Sequence, residues 1–184
     1  MLKVNFLEEL IAEWYQHRGL LVMRNINLKK SVGGGIAGEI DILAFYPPGL
    51  QIIHAETSAD SKRWRERIKI FKEKFKWPNE LYYNELRLPQ KARRIDKIAI
   101  IHCSDKPRGE NRTQFEKETG AKLITFSEFM KSHIIPGISK HSGTIPETFP
   151  LLRAIQLTIR EINKEMKKKF KGMIVKDLFS QQSN

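Results

Sequence analysis

The sequence predicts an α/β protein: a mixed central sheet flanked by helices, in the order helix, three strands, helix, strand, with a further helix at the C-terminus. Three observations carry this. Two β-branched, apolar-rich runs, Gly38–Phe45 and Leu50–Ser58, flank the turn Pro47-Pro48-Gly49, a hairpin pattern. Lys97–Cys103 (KIAIIHC) is almost continuously apolar, as in a strand buried on both faces. Apolar residues recur at helical spacing in three other stretches, and strands alternating with helices late in the chain imply parallel neighbours with helices on both faces.

The elements follow in order. Phe6, Leu7, Leu10, Ile11 and Trp14 mark one face of a first helix, opened by Asn5 with Glu8 in capping-box spacing and closed by Gly19. Leu20–Asn27 has the length and β-branched content of a strand. The Gly-rich stretch after Lys29 and Lys30 lacks the spacing of a nucleotide-binding loop and reads as a connection. Beyond the hairpin, residues 60–77 form a helix whose buried stripe is Trp64, Ile68, Phe71 and Phe75. An irregular connection runs from Pro78 to Arg94. The buried strand comes next, then a helix over Asn111–Thr119, a short strand Lys122–Phe126, and a helix over Ser127–His133 capped by Ser127. Residues 136–146 are rich in Gly, Ser and Pro and read as a linker. The last helix opens at Pro150 with the stripe Leu152, Ile155, Ile159, Ile162, Met166 and Phe170. The domain reading is a core over residues 1–135, then a linker and a basic amphipathic helix over residues 136–184, packed on the core or at a dimer interface.

Composition narrows the function classes. The chain has 184 residues, 40% of them hydrophobic, enough for a sizeable core, and a formal charge of +12. Such a charge points to a polyanion: nucleic acid first, an anionic membrane surface second. The single Cys103 excludes an intrachain disulfide framework and paired-cysteine zinc sites, and a reducing cytoplasm is the expected location. The first twelve residues lack signal-peptide organisation and no apolar run reaches membrane-spanning length, so no membrane association is expected.

The chemistry centres on the hairpin. Glu39, Asp41 and Leu43 share one face of its first strand, and His54, Glu56 and Ser58 one face of its second. Asp41 and Glu56 are thereby offered to each other inside apolar strands, where two carboxylates repel unless a cation compensates them; the alternatives to a metal ion are a solvated sheet face or pairing with the chain's many Arg and Lys residues. Hard oxygen donors without a Cys or His cluster suit Mg2+ or Mn2+, and Asp41, Glu56 and the Thr57 carbonyl form the candidate metal set. Isolated His133 and His141 read as surface histidines.

The run Glu39-x-Asp41, turn, apolar strand, Glu56-x-Ser58 resembles the PD-(D/E)XK nuclease superfamily, which includes restriction endonucleases and archaeal Holliday-junction resolvases. The element order is similar to that family's restriction-endonuclease-like core. The resemblance implies a metal-dependent DNA endonuclease, with Asp41 and Glu56 on the metal and a Glu of the first helix completing the site: Glu8, or else Glu9. The chain departs from the motif at Ser58, where the family places the Lys that positions the attacking water. Lys62, a helical turn further on, is the candidate substitute. The alternative is a nucleic-acid-binding module on the same fold that lost catalysis with that Lys.

Residues 60–77 hold eight Lys or Arg against three acids, an excess that intrahelical ion pairs leave unmatched. Arg63, Arg65, Arg67 and Lys69 there, with Lys29, Lys30, Arg93 and Arg94 elsewhere, are the candidate DNA-phosphate contacts. Tyr82 and Tyr83, near the second basic cluster, are offered as stacking partners for an unpaired base. A homodimer would let such an enzyme cut both strands.

Overall fold

A computed structural model describes residues 5–29, 36–88, 94–103, 107 and 109–180, with the backbone alone at residues 29, 36, 37 and 167–180. Contacts divide the chain into two compact units, Met1–Ile135 and Pro136–Asn184.

The first unit is the α/β layer structure that the sequence predicts. Its helix α1, Phe6–His17, starts where the Asn5 side chain accepts the Leu7 N–H, and the chain leaves it through Gly19 at φ +82°, a left-handed turn that glycine adopts without steric cost. Strands β1 (Leu21–Lys29), β2 (Ile36–Tyr46) and β3 (Gln51–Ser58) form an antiparallel meander, with a single 3-10 turn at Pro47–Gly49. Strands β4 (Arg94–Ile101) and β5 (Lys122–Thr125) extend it with parallel neighbours, giving one mixed five-stranded sheet in the order β1-β2-β3-β4-β5. Parallel strands need crossovers. Helices α2 (Trp64–Lys74) and α3 (Asn79–Glu85) occupy the β3–β4 connection, and α4 (Gly109–Thr119) the β4–β5 connection.

Alternation along β3 shows how helices cover both faces. Ile53 points to the side of Trp14 and Tyr15 of α1, while Ile52 and His54 meet Tyr82 of α3 and Phe75 at the end of α2. The α2 stripe Ile68, Phe71 and Phe75 closes over Ala99 and Ile101 of β4, Leu123 of β5 and Phe115 of α4. Ala99, Ile100 and Ile101 are all fully buried, as the apolar run of β4 requires.

Several boundaries differ from expectation for identifiable reasons. Helix α2 begins at Trp64, not residue 60, because Arg67 turns back to hold the preceding loop: Nε donates to the Lys62 carbonyl at 2.8 Å and Nη2 to the Asp60 carbonyl. The connection after Pro78 is helical over Asn79–Glu85 and buries Tyr82 completely, which removes that ring from any surface role. After β5 the cap is Thr125 rather than Ser127: its hydroxyl accepts the Glu128 N–H and Glu128 returns the bond, a full capping box for α5 (Phe126–Phe129). A π-helical turn, Met130–Ile134, leads into α6, Ile135–Lys140, so part of the expected linker is helical.

In the second unit α7 runs from Pro150 to Ser180. Gln156 ties its first turns to the segment before it, accepting the Ile145 N–H at 3.0 Å and donating to the Gly143 carbonyl at 3.0 Å. Ile162 and Met166 are exposed further along the helix. Among the described residues no helix is long and apolar enough to cross a membrane.

Gly38 of β2 lies under the indole of Trp77, where an added Cβ would fall 2.6 Å from Cζ2. That ring is partly buried and packed against the cluster that holds Leu28, Ile40 and Tyr82, so moving it aside costs packing. Gly38→Ala should therefore lower the unfolding free energy by about 1–3 kcal/mol, read as a lower urea midpoint at unchanged slope. Adding Trp77→Ala should make the Gly38 substitution nearly neutral in a double-mutant cycle.

Candidate metal centre and its cleft

The site forms where the β2–β3 ladder ends. The paired register runs from Tyr46↔Gln51 up to Ile42↔Ala55, and the next residues, Asp41 and Glu56, replace backbone pairing with side-chain bonds. The Asp41 carboxylate accepts the Thr57 N–H at 2.8 Å, and Glu56 Oε1 lies 3.4 Å from the Asp41 N–H. On the other side of β2, Asn25 adopts a left-handed φ of +51°, interrupting β1 between its Arg24↔Ile42 and Ile26↔Ile40 pairs. Asn tolerates this conformation better than most residues. The interruption leaves Asn25 in the wall of a cleft of about 750 Å³ that also contains Glu8, Glu39, Asp41, Thr57 and Lys74.

Asp41 and Glu56 thus converge as the hairpin pattern implies. Both are buried, and the group between them is an ammonium: Lys74 Nζ donates to Asp41 Oδ1 at 2.8 Å and to Glu56 Oε2. Lys74 lies in the last turn of α2, and its own pKa is raised because the two carboxylates outweigh the cost of its burial. Lys62 does not take this position. Its ammonium stays 3.3 Å from the Asp60 carboxylate in the loop before α2, and Ser58 Oγ is buried without approaching the charged pair.

Glu8 is the α1 acid on this side. Its Oε1 lies 3.4 Å from Thr57 Oγ1, which is in turn 3.3 Å from Asp41 Oδ2, and burial followed by the Asp41 charge raises its pKa. Glu9 pairs instead with Arg24. At Thr57 the groups facing Asp41 are the N–H and the hydroxyl, whereas sequence reasoning singled out the carbonyl.

Behind the pair lies a polar line that the sequence did not disclose. Tyr82 Oη is 2.8 Å from His54 Nδ1, and His54 Nε2 is 2.6 Å from Glu56 Oε1, with all three residues fully buried. Burial, with Lys97 and Lys74 nearby, pushes the imidazole pKa down to about 3, so His54 is neutral and carries one donor and one acceptor nitrogen. The line can be wired from Tyr82 toward an ionised Glu56, or in reverse when Glu56 holds the proton. Burial and the adjacent Asp41 charge push Glu56 up to about 9, which favours the reversed wiring near neutral pH.

The oxygen-only donor set, already satisfied by a cation, fits a hard divalent ion chemically. Among the described residues no three Asp, Glu, His or Cys side chains converge as a ready metal cluster, because Glu8 meets the pair only through Thr57. Of the proposed DNA contacts, Arg63, Arg65 and Lys69 are exposed on or beside α2. Arg67 is 4% exposed and braces the loop before the helix, while Arg94 pairs with Asp96 at 2.7 Å. Lys30 and Arg93 lie outside the described residues, and Lys29 is described by its backbone alone.

The linkage sign for Glu56 is definite. Its folded pKa stands above its ordinary value of 4.5, so the folded state retains a proton that the unfolded chain releases as pH rises from 4.5 to 9. Stability falls across that window, and Glu56→Gln should remove this contribution. The variant's unfolding free energy relative to the native chain, measured in urea, should rise by up to about 4 kcal/mol between pH 5 and pH 8; a constant difference would show that Glu56 is ionised throughout. Set against known proteins, the chain matches no protein-family model, and no curated protein matches it significantly.

Proposed function

We propose that this chain is a Mg2+- or Mn2+-dependent deoxyribonuclease that hydrolyses phosphodiester bonds at the Asp41–Glu56 pair. The observation carrying the reading is the convergence of these two buried carboxylates on one lysine, with Asp41 and Lys74 lining a cleft beside a basic helix. A buried ion cluster is a weak device for stability alone, since desolvating the charges offsets most of their attraction. Asp41 and Lys74 line the 750 Å³ cleft with Glu56 buried behind them, which gives the cluster a use in chemistry.

Asp41 and Glu56 would hold the ion. When bound, it would supply positive charge to the scissile phosphate and lower the pKa of a water molecule. Lys74 stands in for the lysine that the nuclease motif places where this chain has Ser58, stabilising negative charge as it builds on the phosphoryl oxygens. Glu8, with its raised pKa, is the group placed to receive a proton from the attacking water. Exposed Arg63, Arg65 and Lys69 supply sequence-independent attraction for the DNA backbone.

A second reading has its own support. Lys74 bridges the pair as it stands, and among the described residues no third ligand converges on it, as in a binding module on the same scaffold that does no chemistry. Plasmid nicking with Mg2+, with Mn2+ and with EDTA separates the two. The nuclease reading expects metal-dependent nicking, lowered about 100-fold or more in Asp41→Asn and in Lys74→Met, with gel-shift affinity retained. Salt-sensitive DNA binding without nicking in any metal would leave the binding module.

A further inference from the structure

The loop between β3 and α2 encloses a second, smaller cavity of about 310 Å³ on its side away from β2, lined by Ser61, Lys62, Trp64, Arg67, His102 and Cys103 together with Ala59 and Asp60. Its position follows from the topology: β3 and β4 run parallel, both end here, and the crossover starts here. Crevices outside the carboxyl ends of parallel strands are where open α/β sheets bind ligands.

Two independent features give it an anion-binding character. The first is the start of α2, an eleven-residue helix whose N-cap residue, Arg63, makes no side-chain capping bond. The Glu66 and Arg67 N–H groups turn to the Arg63 carbonyl, which leaves those of Trp64 and Arg65 without an intrahelical acceptor at the positive end of the helix. The second is Arg67. Its guanidinium is buried, Nε and Nη2 are committed to loop carbonyls, and among the described residues Nη1 has no hydrogen-bond partner. An arginine nitrogen buried without an acceptor is costly. Arg67 lines the cavity, and an anion held there would give this nitrogen an acceptor once it turns toward it.

One carboxylate already samples this field. Asp60 accepts the Lys62 N–H at 3.1 Å and lies 3.3 Å from the Lys62 ammonium and 3.5 Å from Arg67. Burial alone would raise its pKa, yet the contacts to Lys62 bring it below the ordinary value. A single carboxylate leaves Arg67 Nη1 unmatched. A tetrahedral dianion presents more acceptor oxygens and more charge than Asp60 can, and suits an ammonium, a guanidinium edge, a serine hydroxyl and two helix N–H groups together. Trp64, whose ring carries Arg67 at 5.6 Å, adds a flat apolar wall for whatever bears the phosphate.

We propose that this cavity binds a phosphate monoester, the terminal phosphate of a nucleic-acid strand, on Lys62, Ser61, Arg67 and the N-terminus of α2. The nucleic-acid source rests on the function proposed above; the phosphate chemistry does not.

The test uses the full chain in EDTA, so that no cleavage intervenes. Inorganic phosphate is titrated while Trp fluorescence is followed, in the native protein and in Lys62→Ala, Ser61→Ala and Asp60→Asn; these exposed loop positions avoid the folding risk at buried Arg67. In parallel, affinities are measured for one duplex bearing 5′-phosphate, 3′-phosphate or hydroxyl ends. Expected are a saturable phosphate response weakened about tenfold in Lys62→Ala and strengthened in Asp60→Asn, and about tenfold tighter binding of one phosphorylated end, lost in Lys62→Ala. No saturable response, or an equal one in Lys62→Ala, overturns the proposal. A phosphate response with equal affinity for all duplex ends overturns the strand end as its source, whereas loss of all duplex binding with the phosphate response intact counts against the nuclease reading instead.

Discussion

The structure around the cleft depends on one electrostatic constraint: two carboxylates and an ammonium, buried where an antiparallel ladder stops. Asp41 and Glu56 sit one step beyond the last β2–β3 pair, so the backbone groups released there are taken up by the carboxylates themselves. An unpaired acid at that depth would be expelled or protonated. Lys74 pairs with Asp41 and couples the end of α2 to the edge of the hairpin. The helix cannot slide along the sheet without separating the ammonium from both partners.

The same constraint explains why the layer behind the pair is polar. Glu56 Oε1 faces inward, where only a buried partner can satisfy it, and His54 and Tyr82 provide a chain of two hydrogen bonds ending in α3. That chain gives the short helix Asn79–Glu85 a reason to dock: its tyrosine supplies the last acceptor or donor in the line, and the ring buries completely beside Phe75, Leu43 and Ile52. Lys97 reinforces the junction by donating to the Phe75 and Trp77 carbonyls at the end of α2, at 2.7 and 3.2 Å. A site exposed on one side is thus held rigidly from the other.

What the sequence disclosed was what period and adjacency encode. The sheet, its mixed character and the meeting of Asp41 with Glu56 follow from two-residue alternation and a Pro-Pro-Gly turn. Lys74 was hidden because it belongs to the polar remainder of α2, one of eight basic residues in residues 60–77, and only the crossing of α2 over β2 singles it out. Lys62 looked better placed because nearness along the chain was taken for nearness in space. The place of Tyr82 is hidden for a related reason: Asn-Glu-Leu-Tyr-Tyr-Asn-Glu is too short for a convincing periodic stripe, and its partner, His54, is 28 positions away. Pro78 at the N-cap position was the available signal for α3.

The distribution of basic residues on α2 argues for a division of labour that charge counting obscures. Arg63, Arg65 and Lys69 face solvent, Lys74 faces the carboxylates, and Arg67 faces the loop that it braces. The exposed set supplies long-range attraction that salt screens, whereas the inward pair works at short range where screening is weak. On the proposed nuclease reading, a polyanion drawn to the helix would meet Lys74 in the larger cleft and Arg67, which lines both cavities. Because Arg67 fixes the loop through the Asp60 and Lys62 carbonyls, it holds in place the wall that the two cavities share.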